Sequence, residues 1–141
     1  FTPLPLQYAD FALWQRKALG SPDDPNSALS QQLTYWTDRL AGLPDVITLP
    51  SDRPRPAIAS NRGAARTARL DAALHRRIQE LAADHRATPF MVLHTALATL
   101  LARLAGTDDV VIGTPVAGRG DQALDDLVGM FVNTLVLRTE V

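Results

Sequence analysis

Cysteine is absent from the 141-residue sequence. Its absence excludes disulfide bonds, iron–sulfur clusters, thiolate zinc sites and cysteine nucleophiles. Long apolar runs are absent too: the longest, residues 90–105, contains His94 and Arg103 and is shorter than the roughly 18 residues that a membrane-spanning helix needs. Excess positive charge is also missing, because 14 basic and 15 acidic residues give a formal net charge of -1. This balance argues against a nucleic-acid binder that depends on a global positive field.

The N-terminal sequence has neither an initiator methionine nor the features of a signal peptide. It begins FTPLP, without a basic start or a small-residue cleavage site. A hydrophobic content of 46% and a charged content of 21% are ordinary values for a globular protein. We therefore expect one domain's length of chain, taken from a longer protein in the cytoplasm.

Apolar residues at helical spacing predict four helices, over residues 6–19, 29–41, 71–86 and 89–104. Gly20 and Gly42 follow the first two helices, where glycine commonly ends a helix. Asp71 is the candidate N-cap of the third helix. Thr88 is the candidate N-cap of the fourth, because Pro89 then takes the first helical position, which needs no N–H. The fourth helix is expected to be central, with a buried face formed by Phe90, Leu93, Leu97, Leu100, Leu101 and Leu104.

The rest of the chain predicts strands joined by loops. β-branched and alternating apolar residues favour strands near 64–70, at 109–114 and at 130–138. We expect a loop over 113–120 and a short helix over 123–128. Four prolines within 43–63 forbid a helix there and predict an extended crossing segment. Helices followed by mixed strands and helices give an α/β (α+β) fold class.

Several motifs carry little chemistry when each is taken alone. The glycine-bearing stretch 113–120 follows a strand like a phosphate loop, but Arg119 and Gly120 stand where lysine and Ser/Thr are needed. The three histidines have no metal-ligand spacing, so no metal site is expected. Residues 53–77 contain seven arginines and only one acidic residue, Asp71. They form either a patch for an acidic partner or a set of solvated side chains.

Two groups of polar and aromatic residues remain as site candidates. Asn133 interrupts an apolar strand face, so its amide either bonds to backbone or lines a cavity. Arg138 lies on the opposite face of that strand, because side chains alternate. Tyr8, Asp10 and Trp14 share the first predicted helix. By themselves these three have ordinary structural explanations.

Three motifs in this order resemble the condensation domains of nonribosomal peptide synthetases. Residues 8–15 (YADFALWQ) resemble a helical motif that follows the active site, and 49–56 (LPSDRPRP) resemble the segment that crosses between the two lobes. Residues 128–138 (VGMFVNTLVLR) are similar to a further core motif of the family. Supporting matches are residues 35–36 (YW), 88–93 (TPFMVL) and 112–119 (IGTPVAGR). The resemblance runs along the whole chain.

This resemblance implies a chloramphenicol acetyltransferase-like fold of two lobes in a V, with the reaction centre in a tunnel between them. Residues 1–42 correspond to the end of the N-terminal lobe, 43–63 to the crossover and 64–141 to the start of the C-terminal lobe. The implied partners are donor and acceptor peptidyl carrier proteins and the rest of the synthetase. The carriers bring phosphopantetheine arms, and no cofactor binds this chain directly. Asn133 corresponds to a tunnel-lining position, and Tyr8, Asp10, Trp14 and Arg138 to structural positions near the site.

The family's signature is a pair of adjacent histidines, three variable residues and Asp-Gly, and this sequence has no His-His pair. The resemblance implies that the signature lies upstream of Phe1 and that later motifs lie beyond Val141. We therefore expect no catalytic residue in this chain, no activity of the chain alone, and a tendency to self-associate. An epimerisation or heterocyclisation relative, or a non-catalytic carrier-docking or scaffold module, remains an alternative. The amino acids that are joined and the peptide product cannot be derived from these residues.

Overall fold

The computed structural model describes residues 3–141 as a mixture of helices and strands, and this confirms the predicted fold class. The regular elements are α1 (Tyr8–Leu19), α2 (Ala28–Arg39), α3 (Ala72–Asp84), α4 (Pro89–Ala105), β1 (Asp109–Ala117) and β2 (Val132–Glu140). All four predicted helices are present, with ends within two residues of the predicted ones. The region 43–63 contains no helix or strand, as its prolines predict.

Side-chain caps explain where three of the helices begin. The carboxylate of Asp71 accepts the amide of Leu74 at 2.7 Å at the start of α3. The hydroxyl of Thr88 accepts the amide of Met91 at 3.2 Å, with Pro89 in the first turn of α4. Ser27 caps α2 in the same way. These bonds satisfy N–H groups that have no partner within the helix, as the sequence predicts for Asp71 and Thr88.

The two strands pair with each other in an antiparallel arrangement. The amide of Gly118 donates to the carbonyl of Phe131 at 2.6 Å, and that of Val141 donates to the carbonyl of Asp108 at 2.9 Å. The end of β1 therefore lies beside the start of β2. The predicted loop over 113–120 is wrong in its first half, because this pairing extends β1 to Ala117.

Two further local predictions are wrong, those for residues 64–70 and 123–128. Residues 64–70 form no strand and are exposed, because none of the described residues offers them a ladder of hydrogen bonds. The expected helix over 123–128 is only a 3₁₀ turn at Gln122–Leu124. The carboxylate of Asp121 accepts the amide of Ala123 at 2.8 Å and starts this turn, but the chain does not continue it.

The chain divides into two compact units. One contains the residues up to Asp45 together with Ile112–Arg138, and the other contains Val46–Val111 with Thr139–Val141. The core of the first unit consists of Leu124, Leu127 and Phe131, with Phe11 of α1 packed against it.

In the second unit α3 packs against α4, and small side chains are buried there. Ala82 of α3 and Ala98 and Ala102 of α4 are buried, as is Val110. The predicted buried face of α4 is wrong: Phe90, Leu93, Leu97, Leu100 and Leu104 remain 44–55% exposed. The helical pattern identifies an apolar stripe, but within residues 3–141 no element covers it.

Among the described residues, no single helix is long and apolar enough to cross a membrane; α3 and α4 pass such a test only as a pair bent by 101°.

Candidate functional site

Four side chains from three parts of the first unit meet in one place, which we call the Phe131 cluster: Tyr8, Phe11, Arg119 and Phe131. The Tyr8 ring meets the Phe131 ring edge to face, with centroids 5.3 Å apart. The Phe11 ring lies 5.0 Å from that of Phe131. Phe131 is only 7% exposed. Offset and edge-to-face contacts at these distances are the favourable geometries for aromatic rings.

Tyr8 ties the start of α1 to the residues before β2. Its hydroxyl donates to the carbonyl of Met130 at 2.9 Å. A Cβ atom on Gly129 would come within 3.0 Å of several atoms of the Tyr8 ring, so only glycine allows this close approach. The motif around residue 8 and the motif around residue 130 are thus one structural unit.

Arg119 contacts the cluster from the end of β1. Its guanidinium carbon lies 4.0 Å from the centre of the Phe131 ring, within the range of a cation–π interaction. Its Nη1 also donates to the carbonyl of Leu124. A Cβ atom on the preceding Gly118 would come within 3.0 Å of the carbonyl oxygen of Phe131. Residues 118 and 119 therefore hold Phe131 through both backbone and side chain.

A cavity of about 640 Å³ opens beside α1 in this unit. Its apolar lining includes Phe11, Trp14 and Leu124, and its only ionisable lining residues are Asp10 and Asp121. Both carboxylates already accept a backbone amide, Asp10 from Gln7 at 2.9 Å and Asp121 from Ala123. The cavity can hold an apolar group. Among its described lining residues, only these two carboxylates can exchange a proton.

The structure places three of the sequence-predicted site residues together on α1. Tyr8 belongs to the Phe131 cluster, while Asp10 and Trp14 line the cavity. Trp14 is 63% exposed, and its ring contacts Phe11 at 6.0 Å. The loss of roughly 3–5 kcal/mol expected for truncating a buried tryptophan therefore does not apply to it.

Arg138 lies apart from this group and binds the end of α2. Its Nη1 donates to the carbonyl of Arg39 at 3.1 Å and to that of Ala41 at 2.8 Å. Carbonyls at a helix C-terminus lack partners within the helix, so the guanidinium satisfies them. The position of Arg138 on β2 is what allows it to reach α2.

Asn133 is exposed near the start of β2, two residues after Phe131. Its Oδ1 accepts the amide of Thr134 at 2.9 Å, and its Nδ2 donates to none of the residues 3–141. Asn133 is not among the residues that line the cavity beside α1. The structure therefore does not bring Asn133 and Arg138 to the place where Asp10 and Trp14 meet.

Sequence reasoning missed Arg119 and Phe131 as parts of the site. Both lie inside quoted motifs, but neither an arginine after a glycine nor a phenylalanine before a strand signals a cation–π pair across the chain. The glycines at 118 and 129 were the available signal, since glycine often marks a close approach. No group of three or more histidine and acidic residues within residues 3–141 could hold a metal ion.

A family model described as the condensation domain matches residues 2–141. The chain is 56% identical over 140 residues to a probable nonribosomal peptide synthetase, CymA, of Salinispora arenicola, covering 99% of this chain and 2% of that protein. It is 51% identical over 140 residues to a dimodular nonribosomal peptide synthase of Bacillus subtilis, covering 99% of this chain and 6% of that protein. The chain thus spans a small fraction of these relatives' length.

A solved structure is similar to this chain in its fold. The chain superposes on the X-domain in its complex with OxyB from teicoplanin biosynthesis with a TM-score of 0.91 and 35% sequence identity. The match covers 99% of this chain and 31% of that one.

Proposed function

Because the chain belongs to the condensation-domain family, whose fold is chloramphenicol acetyltransferase-like, we propose that it is part of a domain that forms peptide bonds in a nonribosomal peptide synthetase. The observation that carries this proposal is the match of the family model to residues 2–141. Relatives at 56% and 51% identity that are described as such synthetases support it. In the proposed reaction, the amine of an acceptor attacks the carbonyl of a donor thioester, the new C–N bond replaces the C–S bond, and the donor's phosphopantetheine thiol leaves with the proton that the amine gives up.

The partners proposed for this reaction are a donor and an acceptor carrier protein and the remainder of the synthetase, in the cytoplasm. Each carrier presents its substrate on a phosphopantetheine arm, so this chain binds no cofactor of its own. Residues 1–42 contribute the end of the N-terminal lobe, 43–63 the crossover and 64–141 the start of the C-terminal lobe. Residues 48–70 are exposed and contain no helix or strand, which supports a connecting role for the middle segment.

The 141-residue chain by itself is proposed to be inactive. It contains no pair of adjacent histidines, and the cavity beside α1 offers only carboxylates that already cap backbone amides. Within that cavity, the described side chains therefore offer no general base for an attacking amine other than these two capped carboxylates.

An assay with loaded carriers tests both parts of this proposal. The 141-residue chain and a complete condensation domain that contains it are each mixed with donor-loaded and acceptor-loaded carriers, and dipeptidyl thioester is measured by mass spectrometry. We expect product only with the complete domain. Product from the 141-residue chain above the carrier-only background would overturn its inactivity, and no product from either would overturn peptide-bond formation.

A second candidate function is a docking module without chemistry. The observation that favours it is the TM-score of 0.91 to an X-domain whose structure contains OxyB. For this chain, the corresponding role would be to bind a partner protein without forming peptide bonds. A complete domain that binds loaded carriers in a pull-down but yields no dipeptidyl product would support this function over the first.

A further inference from the structure

Arg119 holds a fixed position although it lies in a segment without regular structure. Its guanidinium carbon is 4.0 Å from the centre of the Phe131 ring, and its Nη1 donates to the carbonyl of Leu124. A planar guanidinium stacks its face on a ring while it donates hydrogen bonds in its own plane, whereas an ammonium has no planar face to stack. The ring contact and the hydrogen bond of Arg119 are therefore both made within the first unit.

Phe131 is held through its backbone carbonyl and through its ring. The amide of Gly118 donates to its carbonyl at 2.6 Å, and the rings of Tyr8 and Phe11 lie 5.3 and 5.0 Å from its own. Arg119 adds the cation–π contact. β2 begins at the next residue, Val132, so these contacts fix where the strand starts and in which direction it leaves the cluster.

Asn133 follows this anchored residue by two positions, as the second residue of β2, whose backbone pairs with β1. It is exposed, and its one side-chain hydrogen bond in the described structure goes to the amide of its neighbour Thr134. Its orientation is thus set mainly by the backbone that Phe131 anchors. A shift of Phe131 would move the Asn133 amide with it.

From these contacts we infer that Arg119 is a positioning residue that acts through Phe131 on Asn133. This inference rests on the proposed function, and it adds to that proposal the tunnel-lining position that the family resemblance implies for Asn133. Arg119 does not touch substrate in this scheme. It restrains the start of β2, so that the Asn133 amide is presented in one orientation during peptide-bond formation.

The structural half of the inference is tested without any activity measurement. Backbone and side-chain amide resonances of Asn133 are recorded for the wild-type 141-residue chain and for Arg119→Met, which keeps the apolar length of the side chain. We expect shifts or broadening concentrated at 131–134. Arg119→Lys, which keeps the charge, should recover part of the wild-type spectrum. Arg16→Met on α1 is the matched control, because the Arg16 side chain is exposed and makes no hydrogen bond or ion pair in the described structure, and it should leave 131–134 unchanged.

The functional half is tested by a double-mutant cycle in a complete condensation domain. Arg119→Met should lower kcat by roughly fivefold or more with KM for the carriers little changed, because a misplaced Asn133 amide would be lost to the transition state and not to carrier binding. In an Asn133→Ala background the same substitution should have no further effect on kcat. Both rates are measured well below the melting temperature, so that a loss of folded protein does not contribute.

Each result decides a separate statement. Asn133 resonances that are the same in Arg119→Met and wild type would overturn the inference. It would also be overturned if Arg119→Met lowered kcat by the same factor in the wild-type domain and in the Asn133→Ala domain. If Arg119→Met does not fold, Arg119→Gln, which also removes the charge, takes its place, and unchanged 131–134 resonances in that variant would overturn the inference in the same way. If Asn133→Ala alone leaves condensation unchanged, the tunnel role of Asn133 fails and with it the functional half, while the resonances still decide whether Arg119 positions Asn133.

Discussion

The hydroxyl of Tyr8 donates a 2.9 Å hydrogen bond to the carbonyl of Met130, 122 residues further along the chain. Tyr8 is the first residue of α1, and Met130 lies two residues before β2 begins. This one bond therefore joins the two motifs that lie furthest apart in the sequence, residues 8–15 and 128–138. It also explains why a tyrosine, with a polar tip on an aromatic ring, stands at this helix start: the ring packs on Phe131 while the hydroxyl reaches the backbone.

Replacement of Tyr8 by phenylalanine tests the energetic importance of this bond. Tyr8→Phe keeps the ring contact with Phe131 and leaves the Met130 carbonyl without its donor, so we expect a loss of about 1 kcal/mol in the free energy of unfolding. Tyr35→Phe is the matched control, because the Tyr35 hydroxyl makes no hydrogen bond in the described structure. Urea unfolding followed by circular dichroism measures both. Equal stabilities of the two variants would contradict the assigned role of the hydroxyl.

A methyl group at position 129 should disturb the same contact sterically. The Cβ of Gly129→Ala would come within 3.0 Å of the Tyr8 ring, and relief of such a clash typically costs about 1–3 kcal/mol. Gly120→Ala is the control, since a Cβ there meets nothing within 4 Å. Thermal unfolding should show a lower melting temperature for Gly129→Ala alone. In a Tyr8→Ala background the Gly129→Ala penalty should shrink, and an undiminished penalty would locate the strain elsewhere.

Arg138 is expected to stabilise the chain by capping α2. Arg138→Met removes the donors to the carbonyls of Arg39 and Ala41, and we expect a loss of about 1–2 kcal/mol because the bonds are charge-assisted but partly exposed. Arg76→Met, on the exposed surface of α3, is the matched control. Chemical denaturation gives the stability, and carbonyl chemical shifts at residues 39–41 report the cap. Unchanged shifts there would show that the guanidinium is bound elsewhere.

On α4, enlarging a small residue should be more harmful than removing an apolar one. Ala98 is fully buried, whereas its neighbour Leu97 is 44% exposed. Ala98→Leu forces extra volume into the packed surface of the helix and should cost about 1–3 kcal/mol, while Leu97→Gln should change stability by no more than about 0.5 kcal/mol. Melting temperatures of the two variants measure the difference. The reverse order would mean that the apolar stripe, not the alanine face, is buried in solution.

Asn133 should matter for condensation more than for folding. Because its side chain is exposed and bonds only to the amide of Thr134, Asn133→Ala should change stability by no more than about 0.5 kcal/mol. If it lines the tunnel, the rate of condensation by a complete domain should fall at least about tenfold. Asn26→Ala, in an exposed loop of the same unit, should change neither. A stability loss that accounts for the whole rate change would instead assign Asn133 a structural role.

Local chemistry explains which elements could be predicted. Asp71 and Thr88 accept the amides expected of N-caps, and the proline-rich segment 43–63 contains no helix or strand. These effects act within about four residues, so they are visible in a sequence without knowledge of the fold. The predicted strand at 64–70 was wrong for the opposite reason. A strand depends on a partner that lies elsewhere in the chain, and alternation alone does not provide one.

The sequence by itself determined the four helices, their caps and the family of the chain, because caps, apolar spacing and ordered motifs are local properties of the residues. Only the tertiary structure decided that Arg119 stacks on Phe131, that Arg138 caps α2, and that alanines rather than leucines of α4 are buried. Each of these depends on which parts of a distant segment come within a few ångströms. A guanidinium has the same donors wherever it stands, and its partner is set by the fold that surrounds it.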